Sequence, residues 1–428
     1  MSAEVKPGSL CPKGYKQTEV GVIPEEWEVK TLCNVAEIRS GIAKNSNISV
    51  RDPILVHYLR VANVQDGFLD LTEMSMIEVT RHDLKRYAVL PGDVLMNEGG
   101  DLDKLGRGSV WQGEFIPCVH QNHVFVVRCR STISHEYLNI WTGTTTARRY
   151  FLVAGKQTTN LATINKTALG QLPVVLPRLP EQRTIAEALS DVDALLGALD
   201  RLITKKRDLK QAAIQQLLTG QTRLPGFHGE WEVKRLGELF EITSSKRVFQ
   251  SEWKSEGVPF YRARELAVLG ETGRVDNDLF ITKPLYESFK NVHGVPEVGD
   301  MLVTGVGTLG KVYVVADEQE FYFKDGNIIW FKIGGKVSAE FLRQLYLTKV
   351  VMKQITDASA GTTVGTYTIS GAKKTKIPFP SLPEQTAIAA VLSDMDAELA
   401  ALEQRRDKTH ALKQGMMQEL LTGRIRLV

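Results

Sequence analysis

The sequence predicts an α+β protein in which two similar mixed α/β bodies are separated by two long antiparallel coiled-coil helices, the whole forming a pseudo-two-fold, circular repeat. Two observations carry this. Leu179 to Gly220 reads LPEQRTIAEALSDVDALLGALDRLITKKRDLKQAAIQQLLTG, and Leu382 to Gly423 reads LPEQTAIAAVLSDMDAELAALEQRRDKTHALKQGMMQELLTG, an ungapped second copy. The pentapeptide Glu-Trp-Glu-Val-Lys occurs at 26–30 and again at 230–234, so the repeat extends beyond the helix to a whole half of the chain. The expected divisions are 1–178 for the first body, with a loose segment to about residue 22, then 179–224 for the first helix, 225–381 for the second body and 382–428 for the second helix.

Each long segment reads as a helix. Ile185, Leu189, Val192, Leu196, Leu199 and Ile203 step by fours and threes, as do Ile388, Leu392, Met395, Leu399 and Leu402. That is an apolar seam at coiled-coil spacing. Pro180 and Pro383 suit the first turn, where a missing N–H costs nothing. Glu181 and Glu384 favour the positive helix end, and Gly220 and Gly423 fit a helix stop. Roughly 40 residues at about 1.5 Å each give a rod of about 60 Å. Alone, such a seam would expose apolar surface, and the two copies can cover each other. Lys206 and Arg406 interrupt the seams as register markers, as points where partner helices enter, or simply as solvated charges.

Composition excludes few function classes. The chain has 428 residues, 43% hydrophobic and 24% charged, with 53 Lys and Arg against 50 Asp and Glu. A net charge of +3 does not by itself point to nucleic acid, which needs basic residues gathered on one face. No run of about 18 apolar residues indicates a membrane span, and the N-terminus has no apolar signal core. Cys11, Cys33, Cys118 and Cys129 form no CxxC pair and read as free thiols of a reducing cytosol. The expected location is therefore cytoplasmic.

Along each body the chain reads mainly as short strands. Residues 57–61 correspond to 259–263, and 90–96 to 297–303, the latter pair each opening on a Gly-Asp turn. Each then enters a glycine-rich loop, 97–108 and 304–310. Strands at 123–128 and 327–332 come next, then short helices at 134–142 and 338–348. Glycine and threonine loops at 154–160 and 360–366 lead to closing strands at 172–176 and 376–379. The tail after the second helix, LTGRIRL, matches LTGQTRL after the first. The first tail runs into the second Trp segment, and the last would do the same if joined to the N-terminus. Hence the pattern is circular, with neighbouring ends.

This order of body, LPEQ-to-LLTG helix, body and same helix resembles the specificity (S) subunit of type I restriction–modification systems, from about Tyr15 to Leu427. The resemblance implies two target-recognition domains, each reading one half of a bipartite target in double-stranded DNA, and helices that set the spacing between the halves. It implies docking of methyltransferase (M) subunits, two of them, and of restriction/translocase (R) subunits, with catalysis in those partners. No catalytic residue, metal ligand or cofactor is expected in this chain. The competing reading is a helical scaffold whose globular bodies bind protein.

Base edges and phosphates are met by Arg, Lys, Asn, Gln and small polar side chains. The candidates on loops or strand edges of the first half are Lys44, Asn45, Arg60, Asn97, Lys104, Arg107, Gln121, Asn122, Lys156, Gln157 and Asn160. Those of the second are Lys246, Arg247, Tyr261, Arg262, Arg264, Thr308, Lys311, Lys324, Asn327, Thr362 and Thr363. Arg60 and Arg262 stand out, because each follows an aromatic-containing strand at an equivalent place.

Three patterns invite other chemistry. Gly305 to Gly310 fits GxGxxG and, with Lys311, nearly a phosphate-binding loop. Val312 stands where a Ser or Thr would meet magnesium, and the run from Val312 to Val315 is strand-like. The glycines read instead as sites of close backbone approach, to DNA among others. Cys118, His120, His123 and Cys129 lack zinc-finger spacing and read as strand residues. Pro91, Asp93 and Glu98 resemble a nuclease cluster without its lysine, and no Asn-Pro-Pro-aromatic motif of adenine methyltransferases is present.

Overall fold

The computed structural model describes residues 11–43, 52–100, 105–106, 108–157, 162–359 and 365–427. The chain divides into two compact units, residues 1–199 with 405–428, and residues 200–404. Each long helix therefore contributes its two ends to different units. The first helix spans Leu179–Leu217 and the second Leu382–Leu420.

Three sheets recur in both units; unit 1 adds the pair Tyr15–Thr18 with Gly21–Pro24 and a short three-stranded sheet of Lys156–Gln157, Ala162–Thr163 and Gly99–Gly100. In unit 1 a four-stranded antiparallel sheet runs in the order Ala36–Ser40, Val124–Cys129, Val94–Asn97, Gly108–Val110. In unit 2 the order is Glu241–Thr243, Ile328–Lys332, Met301–Thr304, Val312–Val314. A three-stranded sheet lies beside each. Ile54–Leu59 pairs in parallel with Cys118–His120 and antiparallel with Ser75–Val79. Val258–Tyr261 likewise pairs in parallel with Tyr322–Phe323 and antiparallel with Phe280–Ile281. A two-stranded ribbon carries the chain into each long helix: Glu28–Thr31 with Pro173–Leu176, and Glu232–Arg235 with Lys376–Phe379. As the turn-then-strand pattern at 90–96 and 297–303 predicts, the Gly-Asp pairs make turns and strands follow from Val94 and Met301. Residues 259–263 end as strand at Tyr261; Ala263–Thr272 is a helix, which the run of Arg, Glu and Leu favours over a strand.

The Gly-Asp aspartates are structural. Asp93 is buried, accepts from the Leu90 N–H at 2.8 Å and holds the Arg128 guanidinium through both oxygens at 2.7 Å. Asp300 accepts from the Glu297 N–H, the Ile333 N–H and the Trp330 indole at 3.1, 3.0 and 2.8 Å. Three donors occupy each buried carboxylate, so the resemblance of Asp93 to a nuclease carboxylate ends there.

The main core of unit 1 packs Trp27, Leu32, Met96, Phe125, Tyr137 and Phe151 against Ile185 and Leu189 of the first long helix and Leu420 of the second. In unit 2, Leu236, Met301, Phe331, Phe341 and Tyr346 pack against Ile388 and Leu392 of the second helix and Leu217 of the first. Each core thus receives the start of one helix and the end of the other. Leu196, Leu199 and Ile203 are buried as the seam requires, whereas Met395, Leu399 and Leu402 are not fully covered. In unit 2, Lys206 pairs with Glu398 at 2.7 Å and Lys210 with Asp396; rising numbers on one helix meet falling numbers on the other, the mark of antiparallel packing. In unit 1, Lys413 pairs with Asp193 at 2.5 Å. Lys206 is therefore an interhelical ion pair, and Arg406 pairs with its neighbour Asp407.

The LPEQ motif is the joint of each unit. Glu181 is 1% exposed, although glutamate in a first helical turn is normally solvated. It accepts from the Trp27 indole at 3.1 Å and is held by the Arg426 guanidinium, which also stacks on the Trp27 ring. In unit 2, Glu384 accepts from the Trp231 indole at 3.2 Å and from Arg223 at 2.5 and 2.6 Å, with Arg223 over the Trp231 ring. The adjoining glutamines are buried too. Gln182 accepts from the Ser134 N–H at 2.9 Å and donates to the carbonyls of Thr132 and Pro177. Gln385 accepts from the Ser338 N–H and donates to the Pro380 carbonyl.

Arg223 and Arg426 sit in matching tails of the two helices. The tail of the first helix serves unit 2, and the tail of the second returns to serve unit 1. The Tyr15 hydroxyl donates to the Gly423 carbonyl at 3.0 Å, so the first described strand and the tail of the second helix are neighbours, in keeping with the circular pattern. Gly423 has φ +70°, and a Cβ there would lie 2.5 Å from Pro24 and 3.0 Å from Trp27, so glycine is needed both for the helix stop and for the approach. Arg426→Ala is expected to cost about 3 kcal/mol of unit 1 stability, because it strands a buried carboxylate. Glu181→Gln in that background should restore part of the loss. Denaturant unfolding of the four proteins checks this; losses that simply add would contradict it.

Candidate nucleic-acid interface

In each unit the two glycine-rich loops, distant in sequence, are laced together by backbone pairing. In unit 1, Gly99 and Gly100 pair with Thr163 and Ala162, which pair in turn with Lys156 and Gln157. The Ile164 N–H donates to the Glu98 carbonyl at 2.8 Å, and the Glu98 N–H to the His123 carbonyl at 2.9 Å. In unit 2, Val306 bridges Thr366, the Tyr367 N–H donates to the Gly305 carbonyl, and the Gly305 N–H to the Asn327 carbonyl. A Cβ on Gly305 would fall 2.6 Å from the Tyr367 carbonyl oxygen. The close approach expected of this glycine is therefore made by the neighbouring loop's own backbone. Val312–Val314 is a strand, so no helix stands behind the GxGxxG pattern to cradle a phosphate.

A further segment joins each pair of loops. In unit 1 it is the turn at 65–68, whose Gly67 N–H donates to the Gly108 carbonyl at 2.9 Å. In unit 2 it is the helix Ala263–Thr272, where a Cβ on Gly270 would lie 2.2 Å from the Val312 carbonyl. These two segments occupy the same place in the chain, directly after Arg60 and Arg262. They differ in kind, a turn in one unit and a helix in the other.

The sequence candidates separate by placement. Asn97 and Tyr261 are corrections to the expectation of loops and strand edges: both are buried. Asn97 donates to the Val64 carbonyl at 2.8 Å, and Tyr261 packs with Leu266, Phe323 and Trp330. Both strands are covered on both faces here, since Val94 to Asn97 are buried at every position and Phe260 and Tyr261 are buried in succession. Arg60 is half-buried and donates to the Glu73 carbonyl at 3.1 Å. Arg262 is held by both oxygens of Glu265 at 3.0 and 2.6 Å, with Asp278 at 3.4 Å. Burial pushes the Glu265 carboxyl up, but hydrogen bonds and charge from the Arg262 guanidinium outweigh it and hold the group below its usual range. Lys311 pairs with Glu271 at 2.5 Å.

Gln121 accepts from the Val61 N–H at 3.4 Å, and the Asn122 amide lies 3.3 Å from His123, whose ring is 2.6 Å from Glu98. Lys156, Lys246, Arg247, Arg264 and Thr308 are exposed, and Lys324 and Asn327 are less so. Arg247 lies over Phe249, whereas Arg264 borders a cleft shared with Thr304, Gly307, Thr308 and Lys311. One cleft thus brings Arg264, Thr308 and Lys311 together in unit 2. Lys44, Asn45, Lys104, Arg107, Asn160, Thr362 and Thr363 lie outside the described residues, as does the side chain of Gln157.

Among the described residues, no group of three or more His, Cys, Asp or Glu is placed to hold a metal ion. Cys118 and His120 lie on one strand and Cys129 ends another; burial pushes both thiols up to about 12 and the His120 ring down to about 4. A thiol and a ring so desolvated are packing groups.

The fold and the doubled loop assembly define a class, and the comparisons agree with it. The family model described as the type I restriction modification DNA specificity domain matches twice, over residues 24–206 and 228–410. The chain belongs to this family and is a specificity subunit of a type I restriction–modification system. It is similar to two chains of Methanocaldococcus jannaschii. The MjaX chain is 26% identical over 97% of each protein. The type I restriction enzyme MjaVIII specificity subunit is 22% identical over 97% of this chain and 96% of that one. In fold it is similar to the crystal structure of the type I S subunit from M. genitalium, with a TM-score of 0.54 and 14% identity over 92% of this chain and 96% of that one. The HsdS subunit from Thermoanaerobacter tengcongensis gives a TM-score of 0.51 and 17% identity over 94% and 98%. No helix among the described residues is long and apolar enough to cross a membrane.

Proposed function

We propose that the bodies at 1–178 and 225–381 are target-recognition domains, each reading one half of a bipartite target in double-stranded DNA. The helical segments 179–224 and 382–428 set the spacing between the half-sites. The observation that carries this is the loop assembly made twice on one frame: equal backbone scaffolds present different side chains, as two readers of unlike sequences would. Half-site spacing is then a consequence of protein geometry, and the target has no need to be a palindrome.

The helices also offer a surface for the methyltransferase subunits, two per chain, with the restriction subunits joining for cleavage. Leu195, Leu202 and Leu209 are spaced seven apart on the first helix and are 40%, 38% and 48% exposed, an apolar stripe suited to a partner helix.

Exchanging residues 42–170 for those of a relative with a different target should change one half of the methylated sequence and leave the other intact; a change in both halves would sink the modular reading. Inserting four residues at Thr204 lengthens the helix by about 6 Å and should widen the gap between half-sites, whereas an unchanged gap would remove the helices as the ruler. A scaffold that binds protein would show neither effect, no retardation of DNA and no fall of DNA affinity with added salt.

A further inference from the structure

Unit 1 carries an aromatic side chain whose exposure the fold does not explain. Phe68 is 59% exposed, yet the segment around it is held on every side. Val64 bridges Leu69, and the Gln65 N–H donates to the Phe68 carbonyl at 3.0 Å, closing a tight turn with Gly67 at φ +82°. The buried Asn97 donates to the Val64 carbonyl at 2.8 Å and so ties the turn to the central sheet. Asn63 donates to the Asp70 carbonyl at 2.8 Å, and the Asp70 N–H returns a bond to the Asn63 carbonyl. Gly67 fixes the tip to Gly108, and Arg148 pairs with Asp66 at 2.7 Å.

A turn so braced has little conformational freedom left to lose on binding. Its tip nevertheless displays a phenyl ring to solvent, next to the glycine loop. Among the described residues Phe68 packs in no hydrophobic cluster and against no other ring, while its neighbours Leu69 and Leu71 pack inward. Arg148 also neutralises Asp66, the acid beside it, which would otherwise repel phosphate. At the same place in unit 2 the chain makes a helix that carries the exposed Arg264. The segments that follow Arg60 and Arg262 therefore present chemically different groups, an apolar ring eight residues on in one unit and a guanidinium two residues on in the other.

We propose that Phe68 is a specificity-determining residue of unit 1 that seats its ring against an apolar base surface of the half-site. A thymine methyl group or the face of an opened base step offers such a surface, and neither asks for a hydrogen-bonding side chain. The inference rests on the reading of the chain as a two-part DNA reader.

The test compares the full chain with Phe68→Ala and Phe68→Leu, each assembled with its methyltransferase subunits. The probe is a duplex carrying the sequence that the wild-type complex methylates. Because the ring is exposed, assembly and melting should be unchanged. The alanine variant should bind that duplex about tenfold more weakly, and its methylated motif should become degenerate at a position in one half only. Leucine should keep part of the discrimination. A motif and affinity left unchanged in Phe68→Ala overturn the proposal alone, as does equal loosening of both halves. A wild-type complex that methylates no two-part motif overturns the underlying reading and the proposal with it.

Discussion

A carboxylate buried at the start of a long helix governs this molecule. Burying an ion is costly unless donors surround it. Glu181 and Glu384 meet that condition by drawing together a tryptophan from the segment ahead of the body and an arginine from the tail of the other helix. Each carboxylate thereby fixes three stretches of chain that are far apart in sequence. Its neighbouring glutamine fixes a fourth, the backbone ahead of the short helix at Ser134 or Ser338. Because the arginine comes from the opposite helix, neither unit is complete without the other half's tail. The repeat therefore closes on itself, although the chain is linear.

That arrangement separates what must stay constant from what is free to differ. The four-stranded sheets with the three-stranded sheets beside them, the Gly-Asp turns, the ribbons and the carboxylate joints are alike in both units. The segments after Arg60 and Arg262 are not: one is a braced turn and the other a helix of ten residues. Even the aspartate that holds the sheet edge recruits different donors, Arg128 in one unit and Trp330 in the other. Side chains facing the joints serve two partners at once and admit little change. Those at the loop assembly need only leave the paired backbone undisturbed.

This division is legible in the sequence in part. The seam from Ile185 to Ile203 shows the helices, because a spacing of threes and fours survives any context. Strands such as Val124–Cys129 and Ile328–Lys332 show in their apolar runs. The role of Glu181 is not legible, since an acid in the first turn of a helix has an adequate local explanation, and its true partner lies at Arg426. The partners of Arg60 and Arg262 are not legible either: one donates to the Glu73 carbonyl and the other to the Glu265 carboxylate, contacts that an equivalent place after a strand does not foretell. Asn97 and Tyr261 are polar groups on strands whose facing cannot be fixed without the sheet register. Phe68 gives no signal because one aromatic in a turn carries no pattern, although Asp66-Gly67 before it marks the turn.

The central claim is that one chain reads two unlike sequences through two units of one frame. Co-expression with cognate methyltransferase subunits, and then mapping of methylated bases across the host genome, tests it most directly. The account predicts a single motif made of two short specific parts separated by a fixed unspecified gap. A contiguous, unsplit motif, or an assembled complex that leaves DNA unmethylated, would contradict it.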